Sequence, residues 1–119
     1  MAKKILVCDD DEGVREAVKL ILSDYELILV ADGEKCLDCL RVSKDIGLVL
    51  LDIKMPKING LDVLAQIKKK NLNIKVIILS AYRSFDIGEE ASQLGAFDYL
   101  VKPFRKEEVR EIVKNCFDK

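Results

Sequence analysis

Histidine is absent from this chain of 119 residues. That gap removes the usual general base at neutral pH, the commonest zinc ligand and any Ser-His-Asp triad. Chemistry here must run on carboxylates, lysines and hydroxyls. Glycine is sparse and scattered: the six, at positions 13, 33, 47, 60, 88 and 95, never form G-x-G, and no G-K-[ST] occurs. Neither a dinucleotide fingerprint nor a P-loop is present. No apolar run approaches the ~20 residues needed to span a bilayer. Met1-Ala2-Lys3-Lys4 passes straight into a strand-like run, with no secretory signal. The four cysteines include one C-x-x-C, Cys36 and Cys39, but there is no second pair and no histidine to complete a tetrahedral zinc set. The pair therefore reads as small buried or half-buried hydrophobes on a helix, in a reducing, cytoplasmic setting.

What is present describes one ordinary globular domain, residues 1–119. Hydrophobic residues make up 50% and charged residues 34% of the chain, outside the disordered class. A chain this long buries roughly two-thirds of its unfolded surface, enough for one core. Net charge is −1; residues 1–60 carry 9 basic and 12 acidic side chains, residues 61–119 carry 11 and 9. Nucleic-acid binding wants a basic face, and this balance offers none.

Five short apolar runs punctuate the chain: Ile5–Cys8, Leu27–Val30, Leu48–Leu51, Val76–Leu79 and Tyr99–Val101. The four longer ones are continuous rather than alternating, as strands covered on both faces are. Segments of helical period lie between them. Val14, Ala17, Val18, Ile21 and Leu22 form one stripe, with Asp9-Asp10-Asp11 upstream to cap it. Val109, Ile112, Val113, Cys116 and Phe117 form another, and Leu61, Leu64, Ala65 and Lys68 a looser one. Residues Ser84 to Leu94 give the weakest helix, with only Ile87, Ala91 and Leu94 as a thin apolar stripe. Strand and helix alternating five times predict an α/β fold: a five-stranded, parallel, doubly wound, flavodoxin-like sheet in the order 2-1-3-4-5.

Polar residues follow the strands. Asp9-Asp10 ends the first run, Asp52 the third, Ser80 the fourth and Lys102 the fifth. Ligands of open α/β sheets bind at the carboxyl ends of the strands, where strand order reverses. The expected order sets Asp9 and Asp10 beside Asp52, with Ser80 one strand further and Lys102 two strands away. Two strand spacings are ~10 Å, much of which a lysine stem covers. Three crowded carboxylates call for a cation, and an all-oxygen site suits Mg²⁺ or Mn²⁺. A metal beside a carboxylate and a lysine is machinery for phosphoryl transfer.

The segments Ile5–Asp11, Leu50–Gly60 (with its D-x-x-M-P-x-x-x-G), Ile78–Ala81 and Gly95–Phe104 (with its K-P-F) occur in order across essentially the whole chain. Together they resemble the receiver domain of two-component response regulators. The resemblance implies that Asp52 takes a phosphoryl group from a phosphohistidine. Asp10 and Asp52 would ligate the metal, with Asp9 acting largely through water and the Lys54 backbone carbonyl completing the protein ligands. Lys102 would pair with the phosphoryl oxygens and precede a cis proline. Ser80 would donate its hydroxyl, and Tyr99 would turn inward as the switch. Ser80 stands where many members have threonine, and Lys54 and Tyr82 flank the pocket.

The resemblance further implies a signalling module that catalyses only its own phosphorylation and dephosphorylation. Its donor would be a sensor histidine kinase or a phosphotransfer protein. Its output, through the fourth helix, fifth strand and fifth helix, would go to a downstream protein target or to an output domain. The expectation is no direct nucleic-acid binding by this chain and no membrane partner. Alternatives are the receiver fragment of a longer transcriptional regulator, or an interaction module of the same fold that is not phosphorylated.

Overall fold

The computed structural model describes residues 3–70, 73–81 and 85–118, the side chains of 85–87 aside. Five strands alternate with five helices: β1 Lys4–Cys8, α1 Glu12–Ile21, β2 Leu27–Val30, α2 Gly33–Val42, β3 Ile46–Asp52, α3 Gly60–Lys69, β4 Lys75–Ser80, α4 Phe85–Gln93, β5 Asp98–Val101 and α5 Lys106–Asp118. The strands form one parallel sheet in the order β2-β1-β3-β4-β5, the order expected of a five-stranded doubly wound sheet.

Because strand side chains alternate between faces, the sheet builds two separate apolar layers. Leu6, Cys8, Val49, Leu51, Val76 and Ile78 point to the face covered by α2, α3 and α4, where Cys36, Leu40, Val63, Leu64, Ile67 and Ala91 pack. Ile5, Val7, Leu48, Leu50, Ile77 and Leu79 point to the other face, against Val18 and Leu22 near α1 and Val109, Val113 and Cys116 of α5. Burying each such Leu or Ile contributes about 1.5–3 kcal/mol. All seven residues of β3 are buried.

The structure corrects two details of the sequence reading and narrows a third. β2 carries a continuous apolar run, yet all four of its residues are only half-buried, because it is an edge strand. The buried stripe of α3 is Gly60, Val63, Leu64 and Ile67, one position out of phase with the stripe read from Leu61, Leu64, Ala65 and Lys68. Of the acidic run before α1, only Asp11 is the cap. Its side chain accepts from the backbone N–H of Gly13 at 2.8 Å and of Val14 at 3.3 Å. Asp11→Ala is expected to cost about 1 kcal/mol of stability, read by urea unfolding; no change would mean that solvent serves these donors equally well.

The helix expected over Ser84–Leu94 is present over Phe85–Gln93, while Ser84 and Tyr82 lie outside the described residues. Gly95, at φ 94°, ends it in a left-handed turn. The Ala96 N–H then reaches the Ala91 carbonyl and the Gly95 N–H the Ser92 carbonyl, two of the carbonyls a helix end leaves open.

Candidate functional site

Strand register assembles the site. Cys8 pairs with Leu51 across β1 and β3, so the next residue of each strand, Asp9 and Asp52, meets its neighbour at the carboxyl edge. Asp52 pairs with Leu79, which puts Ser80 one step further along β4. Val101 pairs with Ser80, and Lys102 follows it, its N–H held by the Ser80 carbonyl at 2.7 Å. The Lys102–Pro103 peptide is cis, as the resemblance implies.

Asp9, Asp10 and Asp52 each offer a carboxylate oxygen, all within 4.8 Å of one another. Asp9 is fully buried and Asp52 nearly so, whereas Asp10 is exposed. Lys102 Nζ reaches in to Asp9 Oδ2 at 2.6 Å and Asp52 Oδ1 at 3.5 Å. The other Asp9 oxygen accepts the Asp11 N–H at 2.9 Å. Three carboxylates against one ammonium leave formal charge −2. Burial, then Asp9, pushes the Asp52 carboxyl up to about 6 against the opposing pull of Lys102, with Asp10 adding to the rise. Burial pulls the Lys102 ammonium down, but Asp9 and Asp52 outweigh it and hold it above its ordinary value.

The remaining expected residues fall around this centre. Ser80 is buried at the end of β4. Lys54 lies in the turn after β3, its side chain exposed. That turn tightens at Lys57, whose φ is 69°, with the Ile58 N–H bonded to the Pro56 carbonyl at 2.8 Å. This is a three-residue γ-turn with its central residue strained. Tyr99 is half-buried on β5, against the α3–α4 layer. Sequence reading missed Arg15, whose guanidinium donates to the Asp9 carbonyl at 2.7 Å and ties the β1–α1 turn to α1. Its only signal was its place on the second turn of a helix that starts at the site.

The donor set suits a hard divalent ion. It is all oxygen, anionic and open at Asp10, and such sites take Mg²⁺ or Mn²⁺ with part of their water retained. Among the described residues no helix is long and apolar enough to cross a membrane.

Comparison with known proteins agrees with this fold. Sporulation initiation phosphotransferase F of Bacillus subtilis (strain 168) is 36% identical over 116 residues, spanning 96% of this chain and 93% of that protein. The alkaline phosphatase synthesis transcriptional regulatory protein PhoP of the same organism is 38% identical over 119 residues, spanning 96% of this chain but 48% of its own length. The crystal structure of a CheY-like response regulator receiver domain protein from Methanospirillum hungatei JF-1 superposes with a TM-score of 0.92 at 28% identity, covering 99% of this chain and 95% of the other. The family model described as the response regulator receiver domain matches residues 5–114. The chain belongs to that family.

Proposed function

We propose that the chain is a phosphorylation-controlled switch in which Asp52 accepts a phosphoryl group from a phosphohistidine of a sensor kinase or phosphotransfer protein. The observation that carries this reading is the Asp52 carboxylate, nearly buried and within 4.8 Å of two further carboxylates, with Lys102 Nζ 3.5 Å from its Oδ1. An Asp52 oxygen attacks phosphorus, an O–P bond forms and the N–P bond to the donor imidazole breaks. Lys102 leans from Asp9 and Asp52 onto the phosphoryl oxygens, and the Ser80 hydroxyl donates to the same group. Bound Mg²⁺ would neutralise charge on the transferring phosphoryl. Asp10 and Asp52, with the Lys54 carbonyl, would hold it. Both Asp9 oxygens already accept, from Lys102 and the Asp11 N–H, which supports a water-mediated role for Asp9.

Tyr99 and the surface of α4, β5 and α5 carry the output, to a protein target or an attached domain. Ser80 drawn toward the phosphoryl group biases a pre-existing equilibrium, and a few kcal/mol suffices to move the population. The chemistry is self-directed, with no outside substrate turned over, and the setting is cytoplasmic.

Incubation with Mg²⁺ and a small acyl-phosphate donor is expected to add one phosphoryl group, mapped by mass spectrometry to Asp52 and absent from Asp52→Asn. Modification elsewhere, or persistence in that variant, would sink the reading.

The metal assignment has a separate readout. A ligand bound only by the folded chain at a hundred times its Kd adds about 2.7 kcal/mol of stability. Melting temperature is expected to rise with Mg²⁺ in the parent and in Ser80→Ala, and much less in Asp10→Asn. A flat response in the parent would remove Mg²⁺ from the site.

A further inference from the structure

At the edge of the sheet opposite the acid pocket, a groove runs between the ends of α2 and α3 and over the start of β3. It has two adjoining hollows. One, of about 180 Å³, is lined on its apolar side by Leu37, Leu40 and Ile67. The other, of about 290 Å³, has Ile46 and Ile74, and shares Leu40 and Lys44 with the first. The apolar lining is recessed: Leu40 is 6% exposed, Ile46 5% and Ile67 0%. Cations stand around it, with Lys3, Arg41, Lys44 and Lys70 all exposed. Arg41 is paired with Asp38, and Asp45, the acid among the lining residues, with Lys4 at 3.3 Å. Among the described residues Lys3, Lys44 and Lys70 belong to no ion pair. The net charge of −1 thus conceals a local excess of positive charge around an apolar depression.

Shape and charge together select the occupant. Each hollow is smaller than the roughly 300–1,000 Å³ of sites that enclose a small molecule. Each exceeds the ~150 Å³ in which an apolar cavity takes up a benzene-sized group, so each has room for one apolar side chain. A membrane surface calls for apolar side chains that project, and these are sunk between helices. Single-stranded nucleic acid calls for aromatic platforms, and among the described residues no aromatic side chain lines either hollow. What fits is a protein segment with carboxylates around two apolar anchors. Because the hollows adjoin, those anchors must be close neighbours, as residues i and i+4 of a helix are. We propose that this groove docks an acidic amphipathic helix of a partner protein. Two apolar side chains fill the hollows, and flanking carboxylates meet Lys3, Lys44 and Lys70.

The groove lies apart from the phosphoryl chemistry. Ile46 begins β3 and Asp52 ends it, which at ~3.3 Å per residue separates them by roughly 20 Å. A partner seated here leaves the acid pocket open. The surface is therefore a tether, holding its partner whatever the state of Asp52.

The test uses the full chain in metal-free buffer with no phosphoryl donor, so its outcome is separate from that of phosphoryl transfer to Asp52. The probe is a fluorescein-labelled synthetic helix of glutamates and alanines with two leucines at i and i+4, followed by fluorescence anisotropy and amide NMR shifts. Binding is expected with a dissociation constant of about 100 μM or tighter, weakening about tenfold between ~0.05 and ~0.5 M salt. Shifts should centre on Leu40, Lys44 and Lys70. Lys44→Glu combined with Lys70→Glu should weaken binding about tenfold or more. Both side chains are exposed, so this variant keeps the fold. Lys19→Glu, on α1 across the sheet, should bind like the parent. No binding by the parent would overturn the proposal. Equal binding of a peptide with serine for leucine would do the same, since it reduces the groove to a charged patch. So would equal binding of one with lysine for glutamate, a loss in Lys19→Glu matching that of the double variant, or shifts that fall away from the groove.

Discussion

Gly60→Ala is expected to destabilise the protein by about 3 kcal/mol, the upper end of the range for overpacking. A Cβ at position 60 would lie 2.1 Å from the Asp52 carbonyl oxygen and 2.8 Å from both the Asp52 carbonyl carbon and the Ile53 Cα. These are backbone atoms of the buried central strand and cannot swing aside as a side-chain tip can. The same glycine donates its N–H to the Ile53 carbonyl at 2.7 Å, so any retreat of α3 also breaks a hydrogen bond. Melting temperature should fall by roughly 10 °C for a domain of this size. Gly88→Ala is the matched control, because a Cβ there meets nothing within 4 Å. Inside α4 it should gain about 0.5–1 kcal/mol from helix propensity. Thermal unfolding of both variants checks the pair; equal effects would show that α3 does not press on Asp52 as the geometry requires.

The second large effect is a gain of stability from removing a charge at the centre of the site. Burial, then Asp9, raises the Asp52 carboxyl from 3.8 to about 6. Between those values the folded chain holds more protons than the unfolded chain, so stability falls as pH rises through that window and stays at the lower level above it. The difference of about two pKa units is worth about 3 kcal/mol at neutral pH. Asp52→Asn removes this penalty but also one partner of Lys102. In metal-free buffer at pH 8 the variant should therefore be more stable than the parent by roughly 1–2 kcal/mol. The advantage should shrink toward pH 4, and Mg²⁺ should reverse it by stabilising the parent alone. Urea unfolding from pH 4 to 8 with a chelator measures the difference. A variant less stable than the parent at pH 8 would mean that Lys102 more than compensates the buried carboxylate.

Much of this site was legible before any coordinates, because the order of elements and the residue after each strand suffice to place it. Asp9, Asp52, Ser80 and Lys102 each follow an apolar run, and a parallel sheet of that order has one carboxyl edge for them to share. What escaped the sequence depends on tertiary contact. β2 and β3 read alike as apolar runs; the expected order already put Leu27–Val30 at an edge, but its half-burial along all four residues shows only in the packing. The phase of α3 follows from Gly60 seated against the Asp52 carbonyl, a contact no periodicity contains. Lys102 lies nearer Asp9 than Asp52, which depends on side-chain packing rather than on chain order.

The two apolar layers have a consequence for how the chain tolerates substitution. Val49 and Leu50 are adjacent in sequence but belong to opposite faces of the sheet and share no packing neighbours. A change of volume at Val49 can be compensated only from the layer that α2, α3 and α4 cover, and one at Leu50 only from the layer under α1 and α5. Paired replacements across the sheet should therefore add, whereas pairs within one layer should show coupling. Three helices on one side and two on the other are thus separate packing problems solved on a common set of strands, and mutational drift in one leaves the other free.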